Sequence, residues 1–312
     1  MPADWPTVLL RFALYLDLML VFGLPFFVVH ALRGDERRSR FATSVLYAAA
    51  GGAIAGLLLS VGNLLMMAKA LSGVAQYAHL DPETVGMVLS ATDFGVAWGV
   101  RMAALLAALL ALSLRGLPHG LRLGIATVAA AVALATLAWA GHGAIGEGAR
   151  RYLHLGADIA HLLAAGTWVG ALLGFVVMAA RAPHATPARL ALLGRTATGF
   201  ARVGTLVVAT LVLTGAINYW LIVGPSLASI ASTPYGVLLL AKLALFGAML
   251  GLAALNRYRL SPRLAAALVS GEPRWAAAAL RRSLWLETGC AAAILALVAW
   301  LGTLSPEPLQ GG

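Results

Sequence analysis

The chain has 312 residues, 61% of them hydrophobic and only 11% charged, and its mean hydropathy is +0.88. A soluble domain carries about 25% charged residues, so a water-soluble fold is excluded and the solvent must be largely a lipid bilayer. The net charge of +10 would indicate nucleic acid in a soluble protein, but here the arginines stand between apolar runs, which marks them as loop residues on one side of a membrane and leaves no nucleic-acid partner.

A bilayer core needs roughly 20 apolar residues per helix, and eight runs qualify. The first, at about 8–30, carries Asp17; no basic n-region or small-residue cleavage site precedes it, so it reads as a retained span. The second, at about 42–67, ends on Asn63, Met66 and Met67. The loop after it holds His79 and Met87, with Asp81-Pro82 placed as the N-cap and first position of a short surface helix. The third run, about 94–114, contains Arg101; the fourth, about 121–141, is followed at once by His142. The fifth, about 155–180, begins with a cluster of ionisable residues, and the sixth, about 200–223, carries Asn218. Lys242 lies in the seventh, about 236–255, and Glu287 near the start of the eighth, about 284–303. The single cysteine, Cys290, lies in an apolar run, which rules out an internal disulfide and a thiolate cluster.

Eight spans place both termini on one side. The first, third, fifth and seventh loops hold sixteen of the 22 basic residues, from Arg33 to Arg282, whereas the even loops hold Lys69, Arg150 and Arg151 beside Asp81, Glu83 and Glu147. The positive-inside rule then puts both termini in the periplasm and the odd loops in the cytoplasm. The fold class expected is an all-α integral membrane protein of eight transmembrane helices forming one polytopic domain over 1–312.

Its halves echo one another. Thr92-Asp93-Phe94-Gly95-Val96 precedes Arg101 as Thr233-Pro234-Tyr235-Gly236-Val237 precedes Lys242. Asp17 and Asn63 in spans one and two match Asp158 and Asn218 in spans five and six, and Trp139 and Trp300 close spans four and eight. The pattern reads as a weak internal repeat, 1–142 and 143–312, of two parallel four-helix units related by an axis along the membrane normal. The histidines break the symmetry. Span eight has Thr303 where span four has His142, and span one has no counterpart of the histidines flanking Asp158.

His154, Asp158 and His161 fall at i, i+4 and i+7 and so share one helical face. Imidazole with carboxylate is a borderline ligand set, suited to copper or zinc. His142, across one short loop, is placed to join it. Ionisable groups inside a membrane are costly and need a partner or a purpose, so metal or proton handling is the sharper reading and a satisfied core group the blander one. Asp158 is either a ligand or the group that holds a histidine tautomer. Met66 and Met67 offer thioethers, which suit Cu(I) but also pack as ordinary core; His79 and Met87 are auxiliary capture positions. Asp17 and Arg101 lie at similar depth and are expected to pair, Lys242 to meet Asp158 or a helix carbonyl, and Glu287 to find arginines at the inner end. These groups, with Asn63 and Asn218, make either structural pairs or a cation pathway.

The string Gly141-His142, His154-x3-Asp158-x2-His161 and Trp168-Val169-Gly170 resembles the copper resistance protein D family of bacterial inner-membrane proteins. Thr214-Gly215-x2-Asn218, Tyr235-Gly236 with Lys242-Leu243, Asn256-Arg257, and Leu284 before Glu287 extend the match over roughly 138–305, and Thr92-x-Phe94-Gly95-x2-Trp98-x2-Arg101 extends it more loosely into the first half. The resemblance implies eight spans and copper, as Cu(I) or Cu(II), moved across the inner membrane. It implies His142, His154, Asp158 and His161 as the copper positions, and a small periplasmic copper-binding protein as a separate partner. Copper itself comes from the resemblance alone. Two other classes stay open: a haem-binding electron-transfer bundle, and a metal-binding sensor or assembly factor that does not transport. An enzyme is not expected, because no Ser/His/Asp order, H-E-x-x-H or cysteine motif is present. No phosphate-binding Gly-x4-Gly-Lys motif is present either, so ATP is not the direct driver.

Overall fold

Lipid offers no hydrogen bonds to a bare backbone, so each apolar run must close its own N–H and C=O groups as a helix. The computed structural model describes residues 4–140, 148–180, 186–222, 224, 233–271 and 273–304, and these contain no strand. In chain order the helices are α1 (Trp5–Ala31), α2 (Arg40–Ser72), α3 (Pro82–Ala91), α4 (Asp93–Ser113), α5 (His119–Ala135), α6 (Gly148–Ala180), α7 (Pro187–Ile222), α8 (Pro234–Leu255), α9 (Ser261–Ser270) and α10 (Pro273–Leu301). A 3-10 turn, Thr136–Ala140, continues α5, and a π turn, Asn256–Leu260, joins α8 to α9. Eight helical stretches are long and apolar enough to cross a membrane, and α3 is the short helix, ten residues long, expected after Asp81.

Local chemistry sets the helix ends. The Asp81 carboxylate accepts from the Glu83 N–H at 2.9 Å with Pro82 in the first turn. Thr92 accepts from the Gly95 N–H at 3.0 Å and Thr233 from the Gly236 N–H at 3.1 Å, so α4 and α8 start with the same cap. At the opposite ends arginines cover the last carbonyls, which lack intrahelical donors. Arg37 donates to Val29 O (2.6 Å) and Leu32 O (2.9 Å) at the end of α1, and Arg122 donates to Leu112 O at the end of α4. The same end carries the Arg195–Glu36 ion pair at 2.5 Å. We call it the arginine-rich end. The start of α1 and the end of α10 meet at the other, terminal end, where the Trp5 and Trp300 rings lie 5.4 Å apart.

Helix α1 sits at the centre and packs on α2, α5, α6 and α10. Its contact with α6 is backbone against backbone. A Cβ added at Gly23 would stand 2.1 Å from the Gly166 carbonyl oxygen, and one at Gly170 would stand 2.2 Å from the Gly23 carbonyl carbon. One turn further on, Gly174 receives the Phe27 ring, with a ring carbon 2.6 Å from where its Cβ would lie. Helices in lipid gain association energy from such close van der Waals approach rather than from expelling water. Around this axis α1 packs on α2 and α5 while α4 packs on α5; likewise α6 packs on α7 and α10 while α8 packs on α10. One contact has no equivalent. Helix α2 packs on α4, but α7 and α8 make no comparable contact. In consequence α8 buries only Gly236 and Met249.

Gly170→Val should therefore prevent correct assembly, since the added atoms must displace backbone rather than a flexible side chain. Size-exclusion and thermal-unfolding profiles in detergent should show loss of the monodisperse, folded species. Gly124→Ala, where a Cβ meets nothing within 4 Å, should match wild type; equal behaviour of the two variants would overturn the assigned contact.

Candidate functional site

Helix α6 starts at the terminal end and brings His154, Asp158 and His161 onto one face within its first four turns. His154 is 5% exposed. Its Nε2 lies 3.8 Å from Asp158 Oδ2, too far for a hydrogen bond, and is buried without a partner. The other carboxylate oxygen, Asp158 Oδ1, accepts from Asn218 Nδ2 of α7 at 2.6 Å, and Asn218 Oδ1 is itself buried without a donor. Lys242 of α8, half-buried, is near enough to both Asp158 and His161 to act on them electrostatically. It forms no ion pair within 4 Å among the described residues.

His161 is held by a different device. Its Nδ1 lies 2.8 Å from Thr214 Oγ1, and that hydroxyl donates to the Thr210 carbonyl at 2.6 Å. The hydroxyl proton is thus engaged, so Thr214 accepts from His161 Nδ1–H and the lone pair of the imidazole resides on Nε2. The ring edge lies beside Gly215, where an added Cβ would stand 3.9 Å from His161 Cε1, an ordinary van der Waals contact. A hydrogen bond fixing one ring nitrogen so that the other can bind is the usual arrangement behind a metal-ligating histidine. The three stripe residues do not converge on a single point: among the described residues no three His, Cys, Asp or Glu side chains form a metal-holding group. His142 lies outside the described residues.

The other polar positions fall into two places. Arg101 is fully buried; its Nε donates to Thr136 Oγ1 at 2.8 Å and its Nη1 to Asn63 Oδ1 at 3.4 Å. The expected Asp17–Arg101 pair does not form. Asp17 instead faces the glycine stripe Gly52 and Gly56 of α2, which leaves no side chain to answer it, and its Oδ2 has no partner. Glu287 is 3% exposed, and arginine does not reach it either: Oε1 accepts from Trp168 Nε1 and Oε2 from Asn256 Nδ2, both at 2.8 Å. Met66 Sδ accepts from the Thr7 hydroxyl at 3.7 Å, and Met67 packs with Leu64, Val88 and Phe94. His79 is exposed on a 3-10 turn, Tyr77–His79, as is Met87 on α3.

Two of the hydroxyls that hold these groups were not assigned that role from the sequence. Thr214 had a signal, since it stands one turn before Asn218 on the same face. Thr136 had none, being one hydroxyl in an apolar run whose rotation the sequence does not specify.

Two stretches of the chain match known families: residues 1–153 the copper resistance protein D-like N-terminal domain, and residues 194–301 copper resistance protein D. The stripe at 154–161 lies between the two matched stretches. The chain is 45% identical over 305 residues to copper resistance protein D of Pseudomonas syringae pv. tomato, covering 98% of each chain. No solved structure matches.

Thr136→Val should leave the buried Arg101 Nε without its acceptor and destabilise the protein by about 1–3 kcal/mol. Thermal unfolding in detergent reads this, and an unchanged midpoint would show that the contact does not satisfy the guanidinium.

Proposed function

This multi-pass membrane protein belongs to the copper resistance protein D family, and from that premise we propose that it moves copper across the bacterial inner membrane from a periplasmic binding face on α6. The observation that carries the reading is the pair of imidazoles at the terminal end. His154 presents an unpartnered Nε2 toward Asp158, and His161 is locked by Thr214 with its own Nε2 lone pair free. Imidazole nitrogens with one carboxylate suit copper, and the family narrows the metal to it. Copper here is cargo rather than a resident cofactor. His142 completes the ligand set, and a separate periplasmic copper-binding protein delivers the ion.

The loops support this orientation: arginines concentrate at one end of the helices, as the positive-inside rule expects of a cytoplasmic side, with both termini and the stripe at the opposite, periplasmic end. The polar groups inside the helices (Asp158, Asn218, Lys242, and in the other half Asp17, Asn63, Arg101) supply the route. The matching caps at Thr92 and Thr233 and the similar packing of α1–α2–α4–α5 and α6–α7–α8–α10 support descent from a duplicated four-helix unit. The protein acts as a carrier, not an enzyme.

Reconstituted liposomes should accumulate copper, and His154→Ala or His161→Ala should abolish that uptake. Uptake by wild type that neither change affects would remove the stripe from the reading; copper binding without uptake would make the protein a sensor or assembly factor; a Soret band in the purified protein would replace copper by haem. Thr214→Val keeps the side-chain shape but removes the acceptor that holds His161. It should weaken copper binding about 10- to 100-fold, the usual effect of losing such a support, in a protein that still unfolds in one cooperative transition. Equal affinity would show that Thr214 does not orient the ring.

A further inference from the structure

Away from the stripe, the missing α7–α8 contact leaves a cavity of about 320 Å³ near the arginine-rich end, within the usual range for small-molecule sites. Its floor is α6 and α10, and its walls are α7, α8 and the π turn. Trp168, Phe175 and Phe200 give it an aromatic surface, Phe175 and Phe200 meeting edge to face at 5.7 Å. Thr205, Ala254, Arg257 and Tyr258 line its mouth and are all exposed, so the cavity opens sideways between the two separated helices. In a bilayer that opening faces lipid. Glu287 stands in α10 five residues past Arg282, about 8 Å along the axis, so the depth is that of the membrane edge.

The floor is rich in acceptors and poor in donors. Both Glu287 oxygens keep lone pairs beyond the single bonds from Trp168 and Asn256, and Asn256 Oδ1 is buried with no donor at all. An unpaired buried acceptor costs free energy until a donor reaches it. The π turn is what presents Asn256 here, and such one-turn widenings occur frequently at functional sites. Occupants can be sorted by charge. Among the described residues no histidine, cysteine or methionine lines the cavity and Glu287 is its lone carboxylate, which is a poor set for a transition metal. A free anion meets Glu287. A cation must pass Arg257, whose guanidinium is fixed at the mouth by Thr205 Oγ1 at 2.5 Å and the Ala201 carbonyl at 3.3 Å. A neutral donor with an apolar body fits all of these features.

We propose that this cavity binds a membrane-dissolved quinol, one hydroxyl donating its single proton to the Glu287 carboxylate or to the neighbouring Asn256 Oδ1, its ring against Trp168 and Phe200, and its tail leaving between α7 and α8. The proposal stands apart from copper movement and holds or fails independently of it. The test is titration of purified protein in nanodiscs with a short-tailed ubiquinol analogue, followed by calorimetry. Wild type should bind saturably. Gly204→Leu, whose added atoms meet only the Phe200 ring before entering the cavity, should lose binding at least tenfold. Glu287→Gln puts an amide donor where an acceptor is needed and should weaken binding by a similar factor. Thermal unfolding identifies folded variants, and if Glu287→Gln does not fold, Gly204→Leu decides. Absence of saturable binding by wild type, or equal binding by Gly204→Leu, overturns the proposal. So does native mass spectrometry showing a phospholipid that Gly204→Leu displaces and the quinol does not.

Discussion

Everything in this fold is referred to the line along which α1 and α6 touch. Gly23 meets Gly166 and Gly170 with no side chain between them, and Phe27 fills the space over Gly174. Side chains elsewhere in a bilayer face neighbours as apolar as the lipid, so packing quality rather than burial decides which helices stay together. This contact joins the first span of one half to the first span of the other. It thereby fixes the height and rotation of the two helices that carry Asp17 and Asp158. Each aspartate then looks outward, away from the shared axis, toward the second span of its own half: α2 for Asp17 and α7 for Asp158.

From these similar positions the halves satisfy their polar groups differently. In the second half Asn218 donates to Asp158 and the cation, Lys242, stands off. In the first half Asn63 turns its oxygen to Arg101, Thr136 takes the guanidinium Nε, and Asp17 is left against glycine. Buried polar groups without partners are expensive in lipid. Asp17 Oδ2, Arg101 Nη2, His154 Nε2 and Asn218 Oδ1 are such groups among the described residues. Glu287 is the contrast: both of its oxygens are engaged, by neutral donors, and it anchors α6 to α10 and the π turn at once.

What was legible in the sequence followed from one-dimensional physics. Apolar length located the eight spans, cap chemistry located α3 at Asp81-Pro82, and helical spacing put His154, Asp158 and His161 on one face, while Thr92 and Thr233, noted only as matching positions, turn out to cap α4 and α8. Pairing between helices was less legible, because neither the rotation of a helix nor the level at which it meets its neighbour can be counted along a chain. Asp17 meets Gly52 and Gly56 of α2, whereas Arg101 reaches Asn63, about two turns further along that helix; Glu287 lies near arginines in sequence, yet the indole of Trp168 and the Asn256 amide reach it first. The π turn that turns Asn256 inward had no cue in composition at all. The copper identity rested on motif order, not on any distance.

Helix α8 leans on α10 and turns most of its surface outward, with only two of its residues buried. Such a helix answers to the lipid more than to the protein. Its outward positions can exchange one apolar residue for another at little cost, whereas the stripe of α1 and α6 tolerates almost nothing larger than hydrogen. Sequence drift within this architecture should therefore be uneven, fastest on the one membrane-facing leaf and slowest along the glycine seam. Lys242, a charge carried on the leaf that is otherwise freest to vary, would stand out there as a fixed point.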